Sequence, residues 1–492
     1  MNLLIQRLYR AFPASYRLAS SSAVPGGYLY QQPIHFSPPH PQLRMRILLV
    51  HSYYRLRGGE DVVFEAEANM LESFGHEVFR YTRRNEDLVA QGRLANFKNT
   101  IWNREVADDI TRLIRSQRID VAHFHNTFPA ISPLSIRAAH RAGAVTVQTL
   151  HNSRPLCAAG VCYRDHQPCT ACIGKTFALP AIQHACFHDS RMATSAVVLK
   201  NLVHRAKKTF QNYLDVAIAP TKYVRDRYVS SNFPFAPIVV KPHFIDVELA
   251  TGAGRGGYAL FVGRLSEEKG LRTLLEAWPK LRGHLPLKII GKGPLENEVR
   301  DVAANSLRHD QNNPPCNAVE HLGQLDQHSV YDAIGDAAVL ILPSHCAESF
   351  GRVVIEAYAK GTPVVCANQG GQAELVHPGV GGTFQSGDAD DLARVIDSLI
   401  TLTNNQPDAA ANGPGRYEVL DAMRPLARLE YEQYYTAAIN HDRLQQIYTN
   451  AIAKRWPDRH HSIKDAPLEG IDTRTPHPSP VLPTTERRTE TA

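Results

Sequence analysis

Residues 337–356 read A-A-V-L-I-L-P-S-H-C-A-E-S-F-G-R-V-V-I-E. The aliphatic run ending at Pro343 has the length and composition of a buried parallel strand. Glu348 falls in the loop that follows, and Glu356 falls inside the next helix. Strand, loop and helix in that order form the unit of an open α/β sheet, which binds ligands at the carboxyl edge of its strands. Ser349, Phe350 and Gly351 lead into helical amides that lack intrahelical partners and can point at an anion. One exposed helix end contributes only about 0.3–1 kcal/mol to such a contact, so a diphosphate calls for full charges nearby.

Those charges lie upstream. Tyr258–Gly270, Y-A-L-F-V-G-R-L-S-E-E-K-G, reads as a second strand and turn that carries Arg264 and Lys269 toward a helix beginning near Leu271. Two cations across one strand–helix turn suit a diphosphate, although either alone could be a solvated loop charge.

With both glutamates and both cations in place, residues 45–435 resemble the retaining glycosyltransferases of family 4, of the bacterial polysaccharide or cell-envelope type. The resemblance implies the GT-B architecture: α/β, two Rossmann-like doubly wound domains facing a central cleft. It assigns Arg264 and Lys269 to the donor diphosphate, Glu348 to the transferred sugar and Glu356 to the ribose hydroxyls, with Ser349, Phe350 and Gly351 around the donor. It also places Gly58 and Gly59, in R-L-R-G-G-E-D after the first strand, near the donor phosphate and acceptor, where glycine permits close backbone approach. His151 matches a cleft histidine near the sugar. Family members often have Asp after it, whereas Asn152 follows here, so His151 is read as a sugar contact without an acid/base role. His125, after another strand, points to the same edge. Gly291–Pro294 and Gly370–Gln372 are further candidate donor contacts. The implied reaction needs no cofactor.

A chain of 492 residues with 43% hydrophobic and 21% charged residues suggests two globular domains with tails. Alternating apolar runs place the first domain at 45–235, with a cysteine-rich insertion at 151–190, and the second at 236–415. A helix at 416–440 is expected to cross back to the first domain, and 441–492 to be largely disordered. Residues 1–44 carry Arg7, Arg10, Arg17 and Arg44 and no acid. They read as a disordered extension, either a transit-type segment or a stretch upstream of a true start at Met45.

No run approaches the roughly 20 apolar residues of a membrane span. Charge divides unevenly: 22 Lys+Arg against 15 Asp+Glu over 45–220, and 20 against 26 over 221–440. There is no basic stripe with interleaved aromatics of the kind that binds nucleic acid. A cytoplasmic protein at the inner face of a membrane fits better. The segment 195–214, with Lys200, His204, Arg205, Lys207 and Lys208, is either a membrane-surface helix or a packed amphipathic one. The implied partners are a nucleoside-diphosphate sugar and a glycan or lipid-linked acceptor.

Cys157, Cys162, Cys169, Cys172 and Cys186 crowd one segment. The spacing C-T-A-C suits tetrahedral thiolate ligation, and a structural zinc on Cys157, Cys169, Cys172 and Cys186 would order a long loop. Cys162 is then left over, and His166, His184 or His188 could substitute. Buried thiols, disulfides or a redox pair at Cys169 and Cys172 are the competing readings. The competing function is a non-catalytic nucleotide-sugar-binding or assembly protein organised by this loop. Asp388, Asp390 and Asp391 read as the cap and first turn of a helix.

Overall fold

A computed structural model describes residues 44–54, 57–85, 92–307, 317–400 and 417–457. The expectations for residues 1–43 and for 458–492 lie outside it.

The first domain contains β1 (Arg46–Tyr53), β2 (Glu77–Arg84), β3 (Val121–Asn126), β4 (Val145–Thr149), a small hairpin of β5 (Tyr163–Arg164) and β6 (Gln167–Pro168), β7 (Val216–Ala219) and β8 (Ile238–Val240). Apart from the hairpin they form one parallel sheet in the order β2-β1-β3-β4-β7-β8. Both faces are covered. Leu48 and Val50 enter one core while Ile47 and Leu49 enter the other, so a period-2 backbone reads as an unbroken apolar run.

The second domain repeats the plan with β9 (Ala259–Val262), β10 (Leu287–Ile290), β11 (Val319–Gly323), β12 (Val339–Leu342), β13 (Val364–Ala367) and β14 (Gly381–Phe384). These pair in parallel as β11-β10-β9-β12-β13-β14. Val339 and Ile341 face one core, and Leu340 and Leu342 the other.

The chain crosses between domains twice, at neighbouring points. Phe244 belongs to the first core and Ile245 to the second, and the Ile245 amide donates to the Tyr435 carbonyl at 3.1 Å. The first crossing is thus later than the expected 235/236 boundary, because Ile238–Val240 pairs with β7. The second crossing also differs from expectation. The helix Glu418–Tyr434 stays on the second domain through Leu420, Met423, Ala427 and Tyr431. A further helix, Ala437–Arg455, makes the return and buries Leu444, Ile447 and Tyr448 in the first. Residues 441–455 are therefore ordered rather than tail. A buried apolar stripe at helical spacing holds them.

Of the two readings of 195–214, the structure has the packed one: a helix, Arg191–Ala206, followed after a break by a single turn, Thr209–Asn212. Lys200 is buried with Nζ 4.7 Å from the Phe128 ring centre, and His204 is buried with hydrogen bonds to Thr209 and the Ile101 carbonyl. Two of the five basic groups in this segment thus face the interior. Among the described residues no helix is long and apolar enough to cross a membrane.

Burial also sets an acid limit. It pulls His76, His125 and His204 down to about 4 and His243 to about 3, from an ordinary 6.5. Above pH 6.5 both folded and unfolded chains carry these rings neutral. Below it the unfolded chain takes up protons that the folded one refuses. Stability should fall as pH drops from 6.5 toward 4, by about 1.4 kcal/mol per pH unit for each such histidine. Urea unfolding at pH 7 and pH 5 measures this, and equal midpoints would contradict it.

Candidate functional site

The order of the second sheet reverses direction between β9 and β12, and a crevice opens beyond the carboxyl ends of strands at such a point. The two loops that carry the sequence motifs leave from these two strands. Gly270, at φ +70°, lets them close on each other: a Cβ there would stand 1.8 Å from the Pro343 carbonyl oxygen. Lys269 Nζ then donates to Glu348 Oε1 at 2.8 Å, and the Ser344 hydroxyl donates to the same oxygen. Burial would raise the Glu348 carboxyl, but the Lys269 ammonium and these hydrogen bonds outweigh it and hold it below its usual range. Burial likewise opposes the Lys269 charge, and Glu348 restores it above the ordinary lysine value. The pair is ionised at neutral pH and partly open, with side chains 27% and 15% exposed. Arg264 is exposed and makes no hydrogen bond or ion pair among the described residues, so its charge is available to a ligand.

Gly351, at φ +84°, turns the chain into the helix Arg352–Ala359. One turn in, burial pushes the Glu356 carboxyl up, opposed by Arg352 at 3.6 Å. Arg352 is a residue that sequence reasoning missed. Its Nε and Nη2 are buried without partners. A buried guanidinium left half satisfied is costly, and its position at a helix N-terminus adds dipole repulsion. That conflict with the local helix was the available signal, since a residue that opposes its own element marks a functional or strained position. The double variant Arg352→Leu/Glu356→Gln, which removes the guanidinium without leaving a buried carboxylate unpaired, is expected to weaken nucleotide binding by about tenfold or more while leaving thermal stability unchanged or raised. Calorimetric titration beside thermal unfolding separates the two effects.

In the first sheet the order reverses between β1 and β3. Gly58 and Gly59 follow β1 and begin the helix Gly59–Ser73. Neither has a positive φ, and a Cβ on either would meet nothing within 4 Å. The protein itself does not require glycine there. Asp61 already accepts from the Gly58 amide at 2.8 Å, and Glu60 shares the same first turn, so this helix end is weaker for anions than the one at Gly351.

His125 and His151 end β3 and the strand beside it, with Nδ1 of His125 3.0 Å from Nε2 of His151. His151 stacks on His243, centroids 5.3 Å apart, and His243 meets the edge of Phe350 at 4.9 Å. A run of rings therefore joins the first sheet to the loop of Glu348. Burial, then the neighbouring histidines, hold His151 well below 6.5, which makes it a neutral hydrogen-bonding group. Behind it, His125 Nε2 lies 3.2 Å from the buried carboxylate of Glu67. With the His125 proton on that nitrogen, Nδ1 accepts from His151 Nε2, and His151 Nδ1 is left as an acceptor. The Asn152 amide donates to half-buried Glu60 at 2.6 Å.

Glu67, His123 and His125 bring ligand atoms within 4.8 Å of one another. Lys241 Nζ, 3.3 Å from Glu67, already supplies the cation at that carboxylate. Across the domain boundary Thr221 donates to the Ser349 carbonyl at 2.9 Å, and Glu374 accepts from the amides of Lys222 and Tyr223. Gly371 packs so closely under Ser349 that a Cβ would lie 2.3 Å from its carbonyl oxygen, so Gly370–Gln372 supports the Glu348 loop from below. Asp388 caps its helix through the Asp391 amide at 2.9 Å.

Cys157, Cys169, Cys172 and Cys186 line one small cavity in the insertion. Cys162 is buried against Cys157 outside that lining, and His166, His184 and His188 do not line it.

Residues 57–249 match the family described as Glycosyltransferase Family 4, and residues 253–416 that described as Glycosyl transferases group 1. A phosphatidyl-myo-inositol mannosyltransferase of Mycobacterium leprae is 34% identical over 155 residues, covering 30% of this chain and 38% of that protein. A glycogen synthase of Mycobacterium tuberculosis is 34% identical over 207 residues, 41% of this chain and 47% of that protein. The chain thus spans less than half the length of these curated relatives. The fold matches the Anabaena protein HepE in complex with UDP and glucose, at TM-score 0.55 and 15% identity over 83% of this chain and 100% of that one. Sucrose-phosphate synthase of Thermosynechococcus elongatus gives TM-score 0.57 at 17% identity, over 84% and 100%. With one family match on each sheet and the two-sheet fold shared with these structures, the chain belongs to the family 4 glycosyltransferases of GT-B fold.

Proposed function

We propose that the protein is a retaining glycosyltransferase that moves a hexose-type sugar from a nucleoside-diphosphate sugar to a glycan or lipid-linked acceptor in polysaccharide or cell-envelope glycan synthesis. The Lys269–Glu348 ion pair at the switch point of the second sheet carries this reading. Lys269, Arg264 and the amides after Gly351 take the charge that grows on the leaving diphosphate. Arg352 and Glu356 hold the nucleotide, with Glu356 accepting ribose hydroxyls. The acceptor oxygen bonds to the anomeric carbon on the face that the phosphate leaves. The breaking carbon–oxygen bond gives its electron pair to the diphosphate, and the acceptor proton passes to a phosphate oxygen. Glu348 and neutral His151 position the sugar. The protein's contribution is orientation and electrostatics.

The Anabaena neighbour, solved with UDP and glucose and also with UDP-glucose, supports a nucleotide-sugar donor. The mycobacterial relative's name supports an acceptor on a lipid. The helices Arg93–Ile101, Leu179–Gln183 and Arg191–Ala206 pack together with Leu94, Leu179, Met192 and Leu199 exposed, beside exposed Lys207 and Lys208. That surface favours work at the inner face of a membrane.

The test is nucleotide release from UDP-, GDP- and ADP-hexoses with and without a glycan or polyprenyl-linked acceptor, followed by NMR of the new linkage. One donor should react, faster with acceptor and with its anomeric configuration kept. Inversion, or no release from any donor, would overturn the reading.

A further inference from the structure

Residues 153–190 form an insertion with little to hold it. It has one hairpin of two-residue strands and one five-residue helix, Leu179–Gln183. Its local apolar cluster has a buried centre of five residues, of which only Ala158 and Ala181 come from the insertion itself. Yet its backbone is tightly specified. Cys162, Asp165, His166, Ala185, His188 and Asp189 all have φ between 49° and 60°, a region that side chains avoid unless the surroundings hold them there. Small apolar-poor units of this kind ordinarily need a covalent or metal staple.

We infer that Cys157, Cys169, Cys172 and Cys186 bind one zinc ion, which locks the insertion and braces the hairpin β5–β6 against the donor loop of the second domain. The four thiols come from three stretches of the insertion, around 157, 169–172 and 186, and line a single cavity of about 20 Å³. Arg164 lines the same cavity and brings a cation to it. A cation beside a thiolate cluster stabilises the charged ligand form. A zinc with four thiolates carries two negative charges, which Arg164 partly offsets.

Four sulfur ligands in a tetrahedral arrangement select zinc or iron over hard cations, and zinc is the ion of redox-silent structural sites. All four cysteines are free thiols in the structure. Among the described residues no three of these sulfurs approach within 4.8 Å of one another. Tetrahedral bonds of about 2.3 Å place sulfurs about 3.8 Å apart, so binding draws the thiols inward by side-chain rotation around the cavity.

The brace follows from what the hairpin touches. His166 Nδ1 lies 3.6 Å from Glu267, and the buried Tyr163 hydroxyl, without a hydrogen-bond partner, faces Glu267, Glu268 and Cys346. These residues flank Lys269 and Glu348. The other end of the insertion continues directly from His151 and Asn152. An ion at the four cysteines would tie together the two halves of the site. This second part rests on the proposed transferase reading; the metal itself does not.

The full chain, purified under reducing conditions without chelator, should carry about one equivalent of zinc by plasma mass spectrometry. It should exchange with cobalt to give the visible and charge-transfer bands of a tetrahedral thiolate site. Cys169→Ser with Cys172→Ser should lose the metal, while Cys366→Ala, which alters a core thiol away from the cavity, should keep it. If the double variant does not fold, mercurial titration of the wild-type protein replaces it: zinc release should track the modification of four thiols. Protein that holds no zinc, takes up no cobalt, and has these thiols freely alkylated or paired as disulfides would overturn the site. Hydrogen exchange in 163–168 and 267–270 should rise together when the ion is chelated. No change in 267–270 would overturn the brace.

Discussion

Lys269→Ala is expected to lower transfer by on the order of a hundredfold or more, because one preorganised charge stabiliser is worth about 3–4 kcal/mol in the transition state. The Nζ lies 2.8 Å from Glu348, and in the proposed reaction it takes the charge of the leaving phosphate. The substitution also strands the Glu348 carboxylate, so some stability should be lost with the activity. The double variant Lys269→Met/Glu348→Gln separates these effects. It removes both charges and should recover the melting temperature without recovering turnover. Near-wild-type turnover in Lys269→Ala would contradict the assignment.

The second large effect lies behind the site. Glu67 and Lys241 are each about 1% exposed, with Nζ 3.3 Å from Oε2, and Asn440 accepts from the same ammonium at 2.7 Å. Burial would raise the Glu67 carboxyl, yet Lys241, with His123 and His125, holds it well below 4.5. Lys241→Met leaves that carboxylate buried without its cation and should destabilise the protein by about 3–5 kcal/mol. Adding Glu67→Gln should restore most of it. Chemical unfolding of the single and double variants at pH 7 measures both outcomes. A Lys241→Met protein as stable as wild type would mean that the pair is not ionised.

The strands that sequence reasoning located, such as Ala259–Val262 and Val339–Leu342, lie in sheets covered on both faces and so read as continuous apolar runs. Of those it missed, three are edge strands of the two main sheets, Ile238–Val240 between prolines, Val319–Gly323 with Glu320 and His321, and Gly381–Phe384 opening on two glycines, and two form the short hairpin β5–β6. Edge strands need less apolar content, and their pairing depends on distant partners. The same limit explains the helix Ala437–Arg455, whose buried stripe answers a sheet formed some 300 residues earlier in the chain. At the site, residue types were enough to nominate Glu348, Glu356, Arg264 and Lys269. The salt bridge, the neutral state of His151 and the unpaired nitrogens of Arg352 come from burial and distance, which no local motif encodes. Lys200 and His204 show what decided between the membrane-surface and packed readings of their helix: burial that charge alone does not encode.

The account centres on a nucleoside diphosphate held at Arg264, Lys269, Arg352 and Glu356. Thermal unfolding of the wild-type protein and of Glu356→Gln against UDP, GDP and ADP tests that most directly. At about 100 times its dissociation constant a ligand stabilises by about 2.7 kcal/mol, a shift of several degrees for domains of this size. One nucleotide should raise the wild-type midpoint by that amount and lose most of the effect in Glu356→Gln. No shift with any of the three, or an equal shift in both proteins, would contradict the account.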